Sequence, residues 1–171
     1  EAKADLVYQI GALQAFTSGK KLQHVKPHGA MYNQAINDKT LASAICKALL
    51  DTDPNLVLLA LSGSSWITIA KQLGLRVASE IFADRALNTD GTLVSRSSPG
   101  SVLHDVDEVA ERSLQMVQKG VTTAITGEEI EVDADSICIH GDTPGAVDMA
   151  IAIRQKFEAE GVEVVPLGQI V

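Results

Sequence analysis

The sequence predicts an α/β protein in which helices cover a parallel sheet. Three observations carry that expectation. "LVLLAL" (56–61) is an unbroken apolar run, the pattern of a strand buried on both faces. Short apolar runs of this kind alternate along the chain with segments of helical periodicity. Polar and titratable residues gather directly behind the runs, and in parallel β/α folds the active site is built at the C-terminal ends of the strands.

Each element follows from its own pattern. Leu6, Ile10, Leu13 and Phe16 recur at helical spacing and predict a first helix over 3–17. "LQHVK" (22–26) is a short strand. Leu41, Ile45, Ala48 and Leu49 mark a helix over 38–51, and Pro54 closes that neighbourhood. After the strand at 56–61, a helix over 64–73 is closed by Gly74, and "LRVAS" (75–79) is the next strand. The stretch from Phe82 to Leu103 is long and polar, with "TDGT" and "SSPGS" inside it; loops of such length are functional or disordered. Asp105 and Glu108 form a capping box for a helix running to 119. "VTTAITGEEIEV" (121–132) has the character of a hairpin. Ile137–Ile139 is a buried-looking strand, a helix follows over 144–160, and "VEVVP" (162–166) is a last strand.

At 171 residues the chain suits one domain over 1–171 with a sizeable core. A formal charge of −8 excludes a nucleic-acid surface, because phosphate binding needs an excess of Lys and Arg on one face. No apolar run approaches the roughly 18 residues of a membrane-spanning helix, and no signal-peptide pattern opens the chain. Cys46 and Cys138 lack a C-x-x-C spacing and read as reduced, small apolar residues, which fits a cytoplasmic setting. Glu1 is followed at once by a helical pattern, so the sequence is expected to be a piece of a longer protein.

The candidate site residues fall behind four strands. Lys26 and His28 follow the first; Ser62, Gly63 and Ser64 follow the second; Glu80, Asp84 and Arg85 follow the third; His140 and Asp142 follow the fourth. Each has a structural alternative. Asp142 or Thr143 suits a helix N-cap ahead of Pro144, and His140 suits a hydrogen-bonded core position. The "SGSS" turn offers backbone N–H groups to an anion or is ordinary capping. Asp90-Gly91 is a tight turn. Tyr32 and Asn33 are open between ligand contact and packing, and His24 and His104 are structural. Glu80, Asp84, His28, His140 and Asp142 have the right chemistry for a divalent ion, but no H-E-x-x-H or clustered Cys/His spacing supports one. Neither G-x-x-x-x-G-K-[ST] nor G-x-G-x-x-G occurs.

Taken together and in order, "VKPHGAMYN" (25–33), "SEIFADRALNTDGTLVSR" (79–96) and "SICIHGDTPGAV" (136–147) resemble the LamB/YcsF family of lactam-utilisation proteins. The resemblance extends over essentially the whole chain. It implies a deformed seven-stranded β/α barrel of the glycoside hydrolase/deacetylase type, with the N-terminal strands missing from this chain, which would then be the C-terminal two-thirds of the fold. Family members carry Asp-Leu-Asn, Gly-Phe-His-Ala-Gly-Asp and Ala-His-Pro motifs in that missing portion. The implied activity is ATP-dependent hydrolysis of 5-oxoproline (pyroglutamate) to glutamate, performed with two partner subunits. Carried over position by position, the implied polar residues are Lys26, His28, Glu80, Asp84, Arg85, Arg96, His140 and Asp142. Met31 stands where leucine is commoner, and Leu87-Asn88 replaces a more aromatic stretch.

The chemistry asked of these residues is definite. A lactam amide resists water unless its carbonyl is activated, and ATP can activate it by phosphorylating the amide oxygen. The site then needs cations near phosphate and substrate carboxylate, for which Lys26, Arg85 and Arg96 are available. It also needs an acid/base pair for water and the ring nitrogen, for which His140 and Asp142 are expected, with His28 opposite. Two rivals stand beside this reading: a metal-dependent deacetylase or amidohydrolase on the same barrel, and a non-catalytic subunit that binds the substrate and presents it to a partner.

Overall fold

The computed structural model describes residues 1–171, apart from the side chain of Lys20. Packing divides the chain into two compact units, residues 1–79 with 167–171, and residues 80–166.

In the first unit, α1 (Ala2–Gln14) packs on α3 (Lys39–Thr52). Leu6 and Ile10 are buried, whereas Leu13 and Phe16, expected on the same stripe, are exposed, Phe16 at 88%. The helix ends at Gln14, so Phe16 has left the helical register that aligned it with Leu6. β1 is only His24–Val25 and pairs in parallel with β2 (Val57–Leu61) in the register His24↔Val57 and Val25↔Leu58. β2 is buried at every position, as its unbroken apolar run demands, and lies between β1 and β3 (Arg76–Phe82).

α2 (Gly29–Asn37) occupies a stretch for which the sequence pattern predicts no helix. It starts at Gly29, whose φ of 59° lets the chain turn straight out of Pro27-His28. α3 begins on Asp38, whose Oδ1 accepts from Thr40 N at 2.9 Å and Leu41 N at 3.0 Å. α4 (Ser65–Gln72) is followed by Gly74 at φ 75°, the expected stop. Leu167 and Val171 pack on Val57, Leu59 and Ala78.

In the second unit, the C-terminal end of β3 pairs in parallel with β6 (Ser136–Cys138), Glu80 opposite Ser136 and Phe82 opposite Cys138. β3 therefore runs three residues further than the "LRVAS" pattern, and Glu80 sits inside the strand rather than behind it. α5 (Val106–Lys119) is capped by Asp105, which accepts from Glu108 N at 2.8 Å, and ends on left-handed Gly120. β4 (Val121–Thr123) and β5 (Glu129–Glu131) form the expected antiparallel hairpin. α6 (Ala146–Ala159) packs on α5. Met149, Ile153 and Phe157, one turn apart, meet Val109, Ala110 and Leu114 around Ala83.

Two expectations fail here. Residues 162–166 form no strand, because strand propensity in "VEVVP" finds no ladder to join. Helix α6 starts at Ala146 with left-handed Gly145 at the N-cap, so neither Asp142 nor Thr143 caps it and Pro144 lies ahead of its first turn. The stretch from Phe82 to Leu103 is a packed loop, with Phe82–Leu87, Val94 and Ser101 buried. Antiparallel bridges Arg85↔Val102 and Leu87↔Leu93 fold it back on itself. Its tip is the expected Asp90-Gly91 turn: Asp90 Oδ1 accepts from Thr92 N at 2.9 Å and Thr92 Oγ1 at 2.6 Å, which holds the Asp90 carboxyl below its ordinary range.

Candidate active site

The second unit builds its polar cluster where β3 and β6 end side by side. Two residues past β3, Asp84 is 0% exposed. A bare carboxylate at such depth is costly, so it must be hydrogen-bonded. It is: Thr143 Oγ1 donates to Asp84 Oδ2 at 2.8 Å, His140 N donates to the same oxygen at 3.3 Å, and His140 Nδ1 lies 2.9 Å from Oδ1. Backbone contacts fix the strand ends around it. Ala83 N donates to Cys138 O at 3.0 Å, and Leu103 N donates to Asp84 O at 2.9 Å.

The imidazole of His140 is held from a second direction. Its ring stacks on Phe82, with centroids 5.5 Å apart and planes at 18°. The side chain keeps 22% of its surface open to solvent. With Nδ1–H engaged by Asp84, Nε2 is left as the basic nitrogen. The turn after β6 closes through Thr143 N donating to His140 O at 3.0 Å, which brings the Thr143 hydroxyl back onto Asp84.

The carboxylate partner of His140 is thus Asp84, and not Asp142 as the two-residue spacing suggests. Asp142 points out, 71% exposed, and pairs with Arg96 at 3.2 Å. The hydrogen bond from Arg96 holds the Asp142 carboxyl below its usual range. Arg85 lies buried and donates from Nε to Ser101 O at 3.1 Å and from Nη2 to Val94 O at 2.5 Å, tying the packed loop together. Burial lowers its pKa first, the charge of Arg96 second, and Asp84 opposes both. Glu80 is buried on β3.

The remaining candidates lie in the first unit. Lys26 follows β1 and sets its ammonium 5.7 Å from the centre of the Tyr32 ring. Tyr32 is buried edge-on against Trp66, centroids 5.5 Å apart, so packing accounts for it. His28 is exposed at the start of α2 and makes no side-chain cap bond. Asn33 Nδ2 donates to Gly29 O at 3.1 Å within α2. Ser62, Gly63 and Ser64 form the turn from β2 into α4, with Gly63 at φ 72°. Ser64 occupies the N-cap without using its side chain there, and its buried Oγ has no hydrogen-bond partner among the described residues. His24 bonds Gln23 and is exposed, as is His104.

The comparisons with known proteins match the LamB/YcsF family over residues 1–171. The chain belongs to that family. Among its relatives, the A subunit of 5-oxoprolinase from Thermococcus onnurineus is 51% identical over 173 residues, covering 100% of this chain and 68% of its own length. That of Pyrococcus furiosus is 50% identical with the same coverage. The crystal structure of a lactam utilization protein from Thermus thermophilus superposes with a TM-score of 0.88 at 45% identity, over 96% of this chain and 66% of that one. The LamB/YcsF chain therefore spans about two thirds of the length of such relatives.

Two members of the cluster give little signal in the sequence. Thr143 reads there as a cap, and Phe82 as the start of a loop. Their one clue is proximity to strand ends, which the short "LRVAS" pattern of β3 obscures. For a divalent ion the donor set does not fit: among the described residues no three His, Cys, Asp or Glu side chains come together as ligands, and His140 Nδ1 is already engaged by Asp84.

Proposed function

We propose that this chain works as part of a 5-oxoprolinase A subunit, in the ATP-dependent hydrolysis of 5-oxoproline to glutamate, with Asp84 and His140 as its acid/base machinery. The observation that carries the reading is the buried carboxylate gripping the imidazole at a strand end. Its context is a family whose members, about half identical over this whole chain, are named for that activity.

In this reaction the lactam oxygen attacks the γ-phosphorus of ATP, releasing ADP and leaving a phosphorylated imidate. Water adds to the imidate carbon while His140 Nε2 takes one of its protons. The tetrahedral centre collapses with cleavage of the C–N bond, the ring nitrogen receiving the proton from His140 and leaving as the amine. Phosphate departs, and the product is glutamate. Asp84 holds the imidazole in one tautomer and stabilises the imidazolium that forms between the two proton transfers.

Arg96 in the second unit and Lys26 in the first are our candidates for charges that meet phosphate or the substrate carboxylate, and His28 and the Ser62-Gly63-Ser64 turn are candidates for polar contacts. The deformed seven-stranded barrel, the partner subunits and a cytoplasmic setting belong to the same proposal. No helix among the described residues is long and apolar enough to cross a membrane.

The test is 5-oxoproline hydrolysis by the full-length protein purified with its co-purifying subunits, with and without ATP. Glutamate formed only when ATP and the partners are present supports the reading; a complex that hydrolyses ATP and leaves 5-oxoproline intact removes it.

A further inference from the structure

Asp84 owes its position to the residues through which β3 ends, and their backbone groups are held on both sides. Ala83 N donates to Cys138 O, and Asp84 O accepts from Leu103 N. The carbonyls of Phe82 and Ala83 lie beyond the ladder between β3 and β6, in a segment that is almost wholly buried. Both are taken by one side chain from α5: Arg112 Nη1 donates to Phe82 O at 2.8 Å and to Ala83 O at 3.2 Å.

We propose that Arg112 is a positioning residue for the Asp84–His140 pair, clamping the two peptides that lead into Asp84 and placing a permanent cation behind the buried carboxylate. The inference rests on the acid/base reading of that pair given above.

Holding two carbonyls does not by itself call for a charge. A buried guanidinium is a costly way to satisfy them, and here the other terminal nitrogen, Nη2, is buried with no hydrogen-bond partner among the described residues. What the charge adds is compensation. Burial brings the pKa of Arg112 down to about 10, with Glu108 and then Asp84 pulling it back up, so it remains a cation at neutral pH beside an Asp84 with no exposure to water. The planar fork also carries a rigidity that an ammonium lacks. An imidazole that must pick up a proton in mid-reaction gains from a carboxylate held in one place beside it.

Arg112→Gln keeps a donor for the carbonyls and removes the charge; Arg112→Lys keeps the charge and loses the fork. Both are made in the full-length protein within its complex. The first readout is the Nδ1–H proton of His140, followed by NMR with labelled histidine and assigned through its loss in His140→Gln. In Arg112→Gln this resonance is expected to move from its wild-type position, and in Arg112→Lys to move less. The second is turnover: kcat is expected to fall about tenfold to hundredfold in Arg112→Gln, with KM little changed and partial recovery in Arg112→Lys. An Arg112→Gln protein with the wild-type resonance and wild-type kcat overturns the inference, even if it melts earlier. A wild-type complex without lactam hydrolysis sinks the functional reading alone, because the resonance still reports whether Arg112 positions the pair.

Discussion

His140 Nδ1 lies 2.9 Å from Asp84 Oδ1, across 56 residues of sequence, and the same carboxylate takes the backbone N–H of His140 through its other oxygen. One buried acid therefore fixes both the position and the tautomer of one partly open imidazole. The two residues should behave as a unit. In a double-mutant cycle of Asp84→Asn and His140→Gln, the double variant is expected to lose scarcely more turnover than the worse single one. Additive losses in kcat would show two independent roles.

Thr143 supports the pair from the side. Thr143→Val keeps the shape and removes the donor to Asp84 Oδ2. Loss of one hydrogen bond to a buried charge is expected to cost about 1.5–3 kcal/mol of stability, read from urea unfolding. kcat should fall as well, since Asp84 loses one of the contacts that orient it. Thr143→Ser, which retains the hydroxyl, should recover most of both.

Asp142 and Arg96 make the contrasting case. Their ion pair is exposed, so Asp142→Asn should leave denaturant stability close to wild type. Its sign with pH is nevertheless fixed. The folded carboxyl is held below its unfolded value, so the stabilisation is complete above the unfolded pKa, near 3.9 for a free Asp side chain, and disappears as pH falls through the lower folded one. Unfolding curves of wild type and Asp142→Asn, compared at neutral pH and at pH about 3, should converge in acid. A gap that widens in acid would contradict the assignment.

The thiols should separate cleanly. Burial pushes Cys46 up to about 11, whereas Cys138 is half-buried on β6. At mildly alkaline pH a thiol reagent is expected to modify Cys138 first, with Cys46 reacting only after denaturation. Mass mapping of the labelled peptides decides it, and early labelling of Cys46 would mean the first unit opens more readily than its packing implies.

Much of the second unit is legible in the sequence because its signals are local. Asp105 and Glu108 set the start of α5, the hairpin at 121–132 carries its own turn, and Met149, Ile153 and Phe157 draw the buried face of α6. What escapes is set by partners distant in sequence. "VEVVP" has strand propensity and no ladder. β3 runs on through Glu80-Ile81-Phe82 because β6 is there to receive it. In the site, His140 is legible as a strand-end residue, yet its carboxylate is not, since Asp142 is near in sequence and Asp84 is near in space. Arg112 gives no signal at all, being one of several charges on an amphipathic helix until α5 packs beside the end of β3.

Central to the chemistry is the control that Asp84 exerts over proton transfer through His140. Its most direct measurement is ATP-dependent 5-oxoproline hydrolysis by the full-length complex carrying Asp84→Asn, with folding checked by circular dichroism. An amide at this position can still accept a hydrogen bond but no longer supplies the charge, so kcat is expected to fall by about a hundredfold or more in a folded protein. A folded Asp84→Asn complex turning over within about twofold of wild type would contradict the account, since a change that small corresponds to well under about 1 kcal/mol of barrier.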